Sequence, residues 1–151
     1  MKTNNIKQQI LINAYILLFT CNVESITIVE LERKINRSRG TIFYYFKNKS
    51  ELFKEVLNTL FFPTLYTCIS SSKCIRPLDN VIQNINIYDS KVNAHKALIN
   101  ILIQGEKIDP YFTNKIKSII SEEHRKLGIS NFDKHWVYDA GKLLLNAILS
   151  N

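Results

Sequence analysis

Glycine and proline are scarce in this sequence, which has four Gly and three Pro among 151 residues. Strands joined by tight turns need such residues at their ends, and alternating apolar and polar residues bounded by turn residues are also rare here. Apolar residues still make up 46% of the chain, so a substantial core can be buried. The sequence therefore predicts an all-α fold, either as one compact domain or as a small domain joined to a larger one.

Cysteine is sparse as well, and Cys21, Cys68 and Cys74 form no CxxC pair. An odd number of cysteines without that spacing argues against a disulfide framework and a cysteine zinc site, and it favours a reducing cytoplasm. Cys68 and Cys74 lie six residues apart, so an oxidant-sensing pair is one interpretation. Two idle or small apolar thiols are the commoner case.

Patterns for catalysis and metal binding are missing too. The three histidines, His95, His124 and His135, share no i, i+4 spacing that would place two ligands on one helix face. No GxSxG nucleophile motif occurs. We expect no enzyme activity, no metal and no cofactor.

Long apolar runs are absent, and none could cross a membrane as a helix. The stretch from Ile10 to Phe19 after Lys7 resembles the apolar part of a signal peptide. Asn13 and Tyr15 interrupt it, and no small-residue cleavage site follows. We expect a cytoplasmic protein.

Acidic residues are outnumbered, with 20 Lys or Arg against 13 Asp or Glu, a net charge of +7. Residues 1–58 contain nine of the basic and five of the acidic residues, so the charge leans toward the N-terminus. This balance is compatible with nucleic acid or another anionic surface.

Three helical patterns follow one another in the first third of the chain. Ile6, Ile10 and Ala14 lie on the apolar stripe of a first helix, for which Asn22 is the expected end. Thr27 or Ser25 opens a second helix, and Glu30, three residues after Thr27, completes a capping-box pattern. Two short helices joined by a tight link and packed on a longer one are typical of a helix-turn-helix.

The stretch from Arg37 to Lys49 has the composition of a DNA-reading helix. Ser38 is placed to cap it, and Ile42 and Phe46, at i and i+4, can both face a core. Turning about 100° per residue from Ile42 places Gly40 and Tyr44 on the outward face. Arg39 projects from the first turn, and Lys49 adds a cation suited to phosphate.

Further helices are predicted beyond this stretch. Ser50 is the expected cap of a fourth helix, which Pro63 should kink or interrupt without ending the domain. Helices are expected over residues 79–87, 91–103 and 111–127, with a loop over residues 70–77 and a turn over residues 104–110. A last helix is expected from about residue 131.

From Thr27 to Leu52 the chain reads TIVELERKINRSRGTIFYYFKNKSEL, which resembles the N-terminal motif of TetR-family transcriptional regulators. The run S-x-G-T-[LI]-[YF]-Y-x-F-K-x-K is fairly specific to that family. The resemblance implies bacterial DNA-binding homodimers on palindromic operators, commonly repressors released by a small-molecule inducer. The residues expected to contact DNA are Thr27, Arg37, Ser38, Arg39, Gly40, Thr41, Phe43, Tyr44, Tyr45 and Lys49.

Five positions depart from the family pattern. Asn36 and Arg37 replace the Gly and Val of the turn, and Glu32 stands where a small Ala is usual. Phe43 replaces a tyrosine that often bonds a phosphate, and Tyr45 replaces a histidine. These departures leave the operator sequence open.

The resemblance also divides the chain into a DNA-binding domain at residues 1–49 and a helical regulatory and dimerisation domain at residues 50–151. The second domain is shorter than is typical, which implies a small ligand pocket or none. Aromatic residues that could line such a pocket are Tyr66, Tyr88 and Phe112, although aromatics at helical spacing are more often plain core. The expected dimer interface comprises Phe112, Ile116, Ile119, Ile120, Phe132, Trp136, Ala140, Leu143, Leu144 and Ala147.

One alternative function, that of a protein-interaction module, stays open. A helical protein-interaction module with a basic N-terminus could dock on an acidic partner without binding DNA. A salt-dependent interaction with duplex DNA that depends on Arg39 and Tyr44 distinguishes the two functions.

Overall fold

The fold is all-helical in the computed structural model, which describes residues 2–70 and 77–127. The helices are α1 (Lys2–Leu18), α2 (Ile28–Ile35), α3 (Arg39–Tyr45), α4 (Lys49–Val56), α5 (Phe62–Ser70), α6 (Pro77–Tyr88), α7 (Ala94–Ile108) and α8 (Phe112–Leu127). A 3₁₀ turn (Val23–Ser25) precedes α2, and a π turn (Leu57–Phe61) joins α4 to α5. No strand occurs in these two ranges, and the predicted all-α class is confirmed.

Helix α1 lies at the centre of the structure and packs against α2, α4 and α7. Its residues Ile10, Ala14 and Leu18 are completely buried. The ring of Tyr15 packs edge-on against Phe19 and Tyr88, with centroid distances of 4.9 and 5.4 Å. Burial, with a smaller contribution from Tyr88, raises the pKa of the Tyr15 hydroxyl above its usual range. The core around α1 therefore includes residues of α2, α4, α6 and α7.

The end of α1 differs from the prediction. The helix ends at Leu18, four residues before Asn22, and the backbone of Asn22 is extended with φ −80°. Its side chain instead accepts a hydrogen bond from the Glu24 N–H at 3.0 Å and caps the 3₁₀ turn. Asparagine suits both roles, so its presence alone did not locate the helix end.

Local capping places α2 and α3 as the sequence predicted. The hydroxyl of Thr27 accepts the Glu30 N–H at 3.1 Å and donates to the Glu30 carboxylate at 3.2 Å. Asn36 ends α2 in the left-handed conformation, with φ 59° and ψ 44°, as expected for the residue that replaces the family's glycine. Ser38 caps α3 by accepting the Thr41 N–H at 3.2 Å.

Helix α4 is capped by Asn48, so the prediction of Ser50 as its cap was wrong. The Asn48 side chain accepts the Glu51 N–H at 2.9 Å, which places Ser50 inside the first turn. The chain then stays helical through Pro63, because the π turn comes just before it and bonds the Phe62 N–H to the Leu57 carbonyl. A π turn in this position suits a residue that has no N–H of its own to donate.

Helix α7 continues through residues 104–108, where the sequence predicted a turn. Gln104 and Gly105 are both buried inside the helix, and Gly105 lies directly beneath the ring of Phe112. The glycine provides space for an aromatic ring, and the turn predicted over residues 104–110 was wrong for residues 104–108. Residues 128–151, which include the predicted last helix, lie outside the described residues, as do the side chains of Cys68 and Cys74.

No helix in residues 2–70 or 77–127 is both long and apolar enough to span a membrane.

Candidate nucleic-acid interface

Helix α3 docks on the core through one face and presents the opposite face to solvent. Ile42 is completely buried and Phe46 is nearly so, whereas Gly40 is exposed and the Tyr44 side chain is 79% exposed. The ring of Tyr44 has an edge contact with the half-buried ring of Tyr45, with centroids 5.0 Å apart. The orientation of α3 that the spacing of Ile42 and Phe46 predicted is therefore present. We call Arg39, Gly40 and Tyr44 the outward face of α3.

Gly40 is not required by the packing of the chain. A Cβ atom built on this residue would come no closer than 3.9 Å to a described neighbour, the Ser38 Oγ. This is an ordinary van der Waals distance, so alanine would fit in the free protein. Because Gly40 has no side chain, another molecule has room to approach the backbone of α3 at this point.

Positive charge surrounds the outward face. Residues 27–49 contain six Lys or Arg and two Glu. The basic side chains that are exposed are Arg33, Lys34, Arg37, Arg39 and Lys47. A surface of this kind attracts a polyanion over a distance of about one Debye length.

Two arginines of this surface are held by other helices. The Arg39 Nε donates to the Glu32 carboxylate of α2 at 3.2 Å, and the Arg37 Nη2 donates to the Gln9 side-chain oxygen of α1 at 3.3 Å. The guanidinium groups at the start of α3 are thus tethered, and they are not free to sample all rotamers.

Lys49 is tied to the interior rather than standing free on the surface. Its ammonium donates to the carbonyls of Val23 and Ile26, both at 3.0 Å, and the side chain is half-buried. These carbonyls belong to the 3₁₀ turn and the residue that follows it. Lys49 therefore joins the start of α4 to the segment that leads into α2, a contact that the sequence alone does not predict.

An amide pair on α7 holds the same segment from the other side. Asn100 Nδ2 donates to the carbonyls of Leu18 and Cys21 at 2.7 and 3.0 Å, and Gln104 Oε1 accepts the Val23 N–H at 2.9 Å. Gln104 Nε2 also donates to Asn100 Oδ1 at 3.3 Å. We call Asn100 and Gln104 the α7 amide pair. Their i, i+4 spacing in an otherwise apolar helix face is the feature of the sequence that could indicate this contact.

The remaining predicted contact residues lie around α2 and α3. Ser38 is exposed and Thr41 is half-buried, and their hydroxyls are 3.0 Å apart. Thr27 is exposed at the start of α2, and Phe43 is half-buried and packs against the core.

The three aromatics predicted to line a ligand pocket do not form one site. Tyr88 contacts Tyr15, whereas Phe112 packs against Phe61 and Phe62 with centroid distances of 5.7 and 5.4 Å. Phe112 is completely buried in its own chain, and Tyr66 is 46% exposed. Phe112 is therefore a core residue.

An open cleft of about 420 Å³ lies elsewhere, between α5 and α6. Its lining includes Thr64, Asn80 and Asn84, and none of the three predicted aromatics contributes to it. The Asn84 Oδ1 is buried and has no hydrogen-bond partner among the described residues. The unpartnered amide oxygen gives this cleft one group that a small polar ligand could bond.

Most of the predicted dimer residues have side chains outside the described residues. Of those on α8, Ile116 is buried like Phe112, and Ile119 is half-buried. Burial inside their own chain removes Phe112 and Ile116 from a partner-facing surface. The other predicted residues, from Ile120 to Ala147, have side chains outside the described residues. In the part of the chain that is described, no three His, Cys, Asp or Glu side chains cluster as metal ligands would.

Comparison with known proteins identifies the segment that carries this surface. Residues 14–56 match the family model described as bacterial regulatory proteins, tetR family. No curated protein and no solved structure matches the chain at a significant level. The matched residues run from the middle of α1 to the end of α4 and include the whole outward face of α3. Residues 14–56 therefore form the N-terminal DNA-binding domain that is found in tetR-family regulators of transcription.

Proposed function

We propose that the protein is a repressor that binds a palindromic operator as a homodimer, with α3 of each subunit in a major groove. The observation that carries this proposal is the outward face of α3, where an aromatic side chain that is 79% exposed stands beside a glycine that the fold does not need. Tyrosine and arginine are residue types that are enriched where a protein surface contacts another macromolecule.

Each part of the surface has a proposed role. Arg39 and Tyr44 face the groove, and Gly40 lets the backbone of α3 approach the DNA closely. The hydroxyls of Ser38 and Thr41, together with Thr27 at the start of α2, are placed to contact phosphates. Arg37 supplies a cation at the edge of this surface. The half-buried rings of Phe43 and Tyr45 support α3 from its flanks.

Lys49 has a different proposed role from the phosphate contact that the resemblance implies. Two of its three ammonium donors are engaged by the carbonyls of Val23 and Ile26. We propose that it fixes the position of α2 relative to α4, and that any phosphate contact uses the remaining donor alone.

The regulatory half is proposed to act through α7. The α7 amide pair bonds the chain between α1 and α2, so a shift of α7 would move the helix-turn-helix as well. A ligand in the cleft between α5 and α6 could cause such a shift, because α6 packs directly on α7. The change in DNA affinity would be limited by the difference in ligand affinity between the two states.

The proposed dimer interface comprises fewer residues than the sequence predicted. Since Phe112 and Ile116 fill their own core, the apolar residues left for a partner are Ile119, Ile120 and the predicted set within residues 132–147. We propose that a two-fold symmetric dimer formed through these residues presents two copies of α3 to the DNA. Two copies supply the specificity that one short helix lacks.

Selection of bound sequences from random duplex DNA tests this function. We expect a palindromic motif whose two half-sites have centres one helical turn, about 34 Å, or a multiple of it apart. The control is a variant with both Arg39→Ala and Tyr44→Ala, which should enrich no motif while it retains its helix content. Equal recovery of all sequences by the unmodified protein would contradict a sequence-specific regulator. Binding to an acidic protein but not to duplex DNA would favour the interaction module.

A further inference from the structure

We propose that Glu32 positions Arg39 to recognise a guanine in the operator, an inference that rests on the proposed DNA binding. Glu32 is on α2 and Arg39 is the first residue of α3, and the Arg39 Nε donates to Glu32 Oε1 at 3.2 Å. This contact joins the two helices of the helix-turn-helix by their side chains.

The ion pair is too exposed to serve mainly as a stabilising contact. The Arg39 side chain is 60% exposed and that of Glu32 is 35% exposed. Pairs in such surroundings contribute little to folding because water and salt screen them. Its consequence is geometric, since a guanidinium bonded at Nε samples fewer rotamers before any ligand arrives.

The bonded nitrogen leaves the other end of the guanidinium available. No described residue bonds the Nη1 or Nη2 of Arg39, and these two nitrogens form a fork that can donate two parallel hydrogen bonds. Guanine presents two acceptors, O6 and N7, at the matching spacing in the major groove. Arg39 stands in the first turn of α3, the part of a recognition helix that contacts base edges.

The charge of Glu32 favours a base over a phosphate as the partner of Arg39. A carboxylate beside the guanidinium repels a phosphate, whereas the guanine acceptors are uncharged. Arg37 provides the contrast, because its partner Gln9 is neutral and bonds a terminal nitrogen. Arg37 therefore suits a phosphate, and Arg39 suits guanine.

The test compares four single variants in selection from random duplexes. Binding is then measured to the best duplex and to the same duplex with its guanine replaced. Arg39→Ala should remove a preference for guanine of roughly 5- to 150-fold at one position per half-site. Glu32→Ala should reduce the same preference by roughly two- to twelvefold, the range expected for one lost side-chain restraint, and leave the other positions unchanged.

Two further variants separate position from charge. In Glu32→Gln the amide oxygen can still accept from Nε, so this variant should keep more of the guanine preference than Glu32→Ala. Glu24→Ala removes the same charge from an exposed site of the same domain and should leave the preference unchanged. Thermal melting followed by circular dichroism checks that all variants are folded.

Three results would overturn the inference. One is an unchanged guanine preference in Glu32→Ala, even if affinity for all sequences rises. Another is an equal loss of affinity for every sequence in Arg39→Ala, which would assign Arg39 to a phosphate. If the unmodified protein bound no duplex at all, the proposed function would fail first, and this inference with it.

Discussion

Raising the salt concentration from 50 to 200 mM should weaken operator binding by about a thousandfold or more. A dimer that neutralises roughly six to ten phosphates releases the counterions condensed on them, and higher salt makes that release less favourable. The exposed basic side chains around α2 and α3 are numerous enough for this, with Arg33, Lys34, Arg37 and Lys47 on each subunit. Fluorescence anisotropy of a labelled operator across a salt series measures the slope.

Lys47 and Lys107 provide a matched pair of variants for this measurement. Both side chains are exposed, but Lys47 follows α3 and Lys107 lies in the last turn of α7. Lys47→Ala should reduce the slope of log affinity against log salt by about one for each subunit, whereas Lys107→Ala should leave it unchanged. An affinity that hardly varies with salt would contradict binding through phosphates.

Replacing Gly105 by alanine should destabilise the fold by about 1 to 3 kcal/mol or more. A Cβ atom at this position would lie 2.4 Å from the Phe112 ring, which is far inside van der Waals contact. The ring cannot easily move, because it is completely buried and packs against Phe61 and Phe62. Urea unfolding, at a constant m-value, measures the loss.

Gly40→Ala is the matched control, because it makes the same change in a helix with open space. Here alanine should raise stability by roughly 0.5 to 1 kcal/mol, since glycine loses more backbone entropy on folding. The same variant should bind DNA less tightly if the backbone at Gly40 approaches the duplex.

The double variant Gly105→Ala, Phe112→Leu should recover part of the stability that Gly105→Ala loses. A Gly105→Ala protein as stable as its parent would show that Phe112 packs elsewhere.

Local chemistry explains why the helix-turn-helix was predictable. Thr27 and Ser38 cap helices through atoms only three residues away, and the spacing of Ile42 and Phe46 alone orients α3. Such contacts need only a few neighbouring residues. The family motif spans the same segment, so the capping and spacing patterns and the family resemblance predict the same helices there.

Contacts between distant residues could not be predicted in this way. The carbonyls that hold Lys49 lie 23 and 26 residues away along the chain, and the N–H that Gln104 accepts lies 81 residues away. Lys49 therefore looked like a free cation, although its ammonium is bonded inside the domain. The predicted start of α4 was wrong for a local reason. Asn48 and Ser50 are both good capping residues, and Asn48 caps the helix.

The structural roles of a glycine and a phenylalanine in the second half were predicted wrongly, because these roles depend on how α7 and α8 pack. Gly105 indicated a turn by its propensity, but it lies within α7 and makes room for Phe112. The sequence predicts Phe112 both in a ligand pocket and in a dimer interface. In the structure its ring packs over Gly105 and is completely buried in the core. Neither assignment could be corrected without knowing that α7 and α8 pack at this point.

The exposed aromatic of α3 permits the most direct test of DNA reading. Tyr44 and Tyr111 are both largely exposed tyrosines, at 79% and 67%, and only Tyr44 is on α3. Binding of the selected operator should be measured for Tyr44→Ala and Tyr111→Ala at one salt concentration, with thermal melting as a check on folding. We expect Tyr44→Ala to lose roughly 5- to 150-fold in affinity, the range for a lost contact to a base edge, while Tyr111→Ala binds like the parent. Equal affinity of the two variants and the parent would contradict an operator read through the outward face of α3.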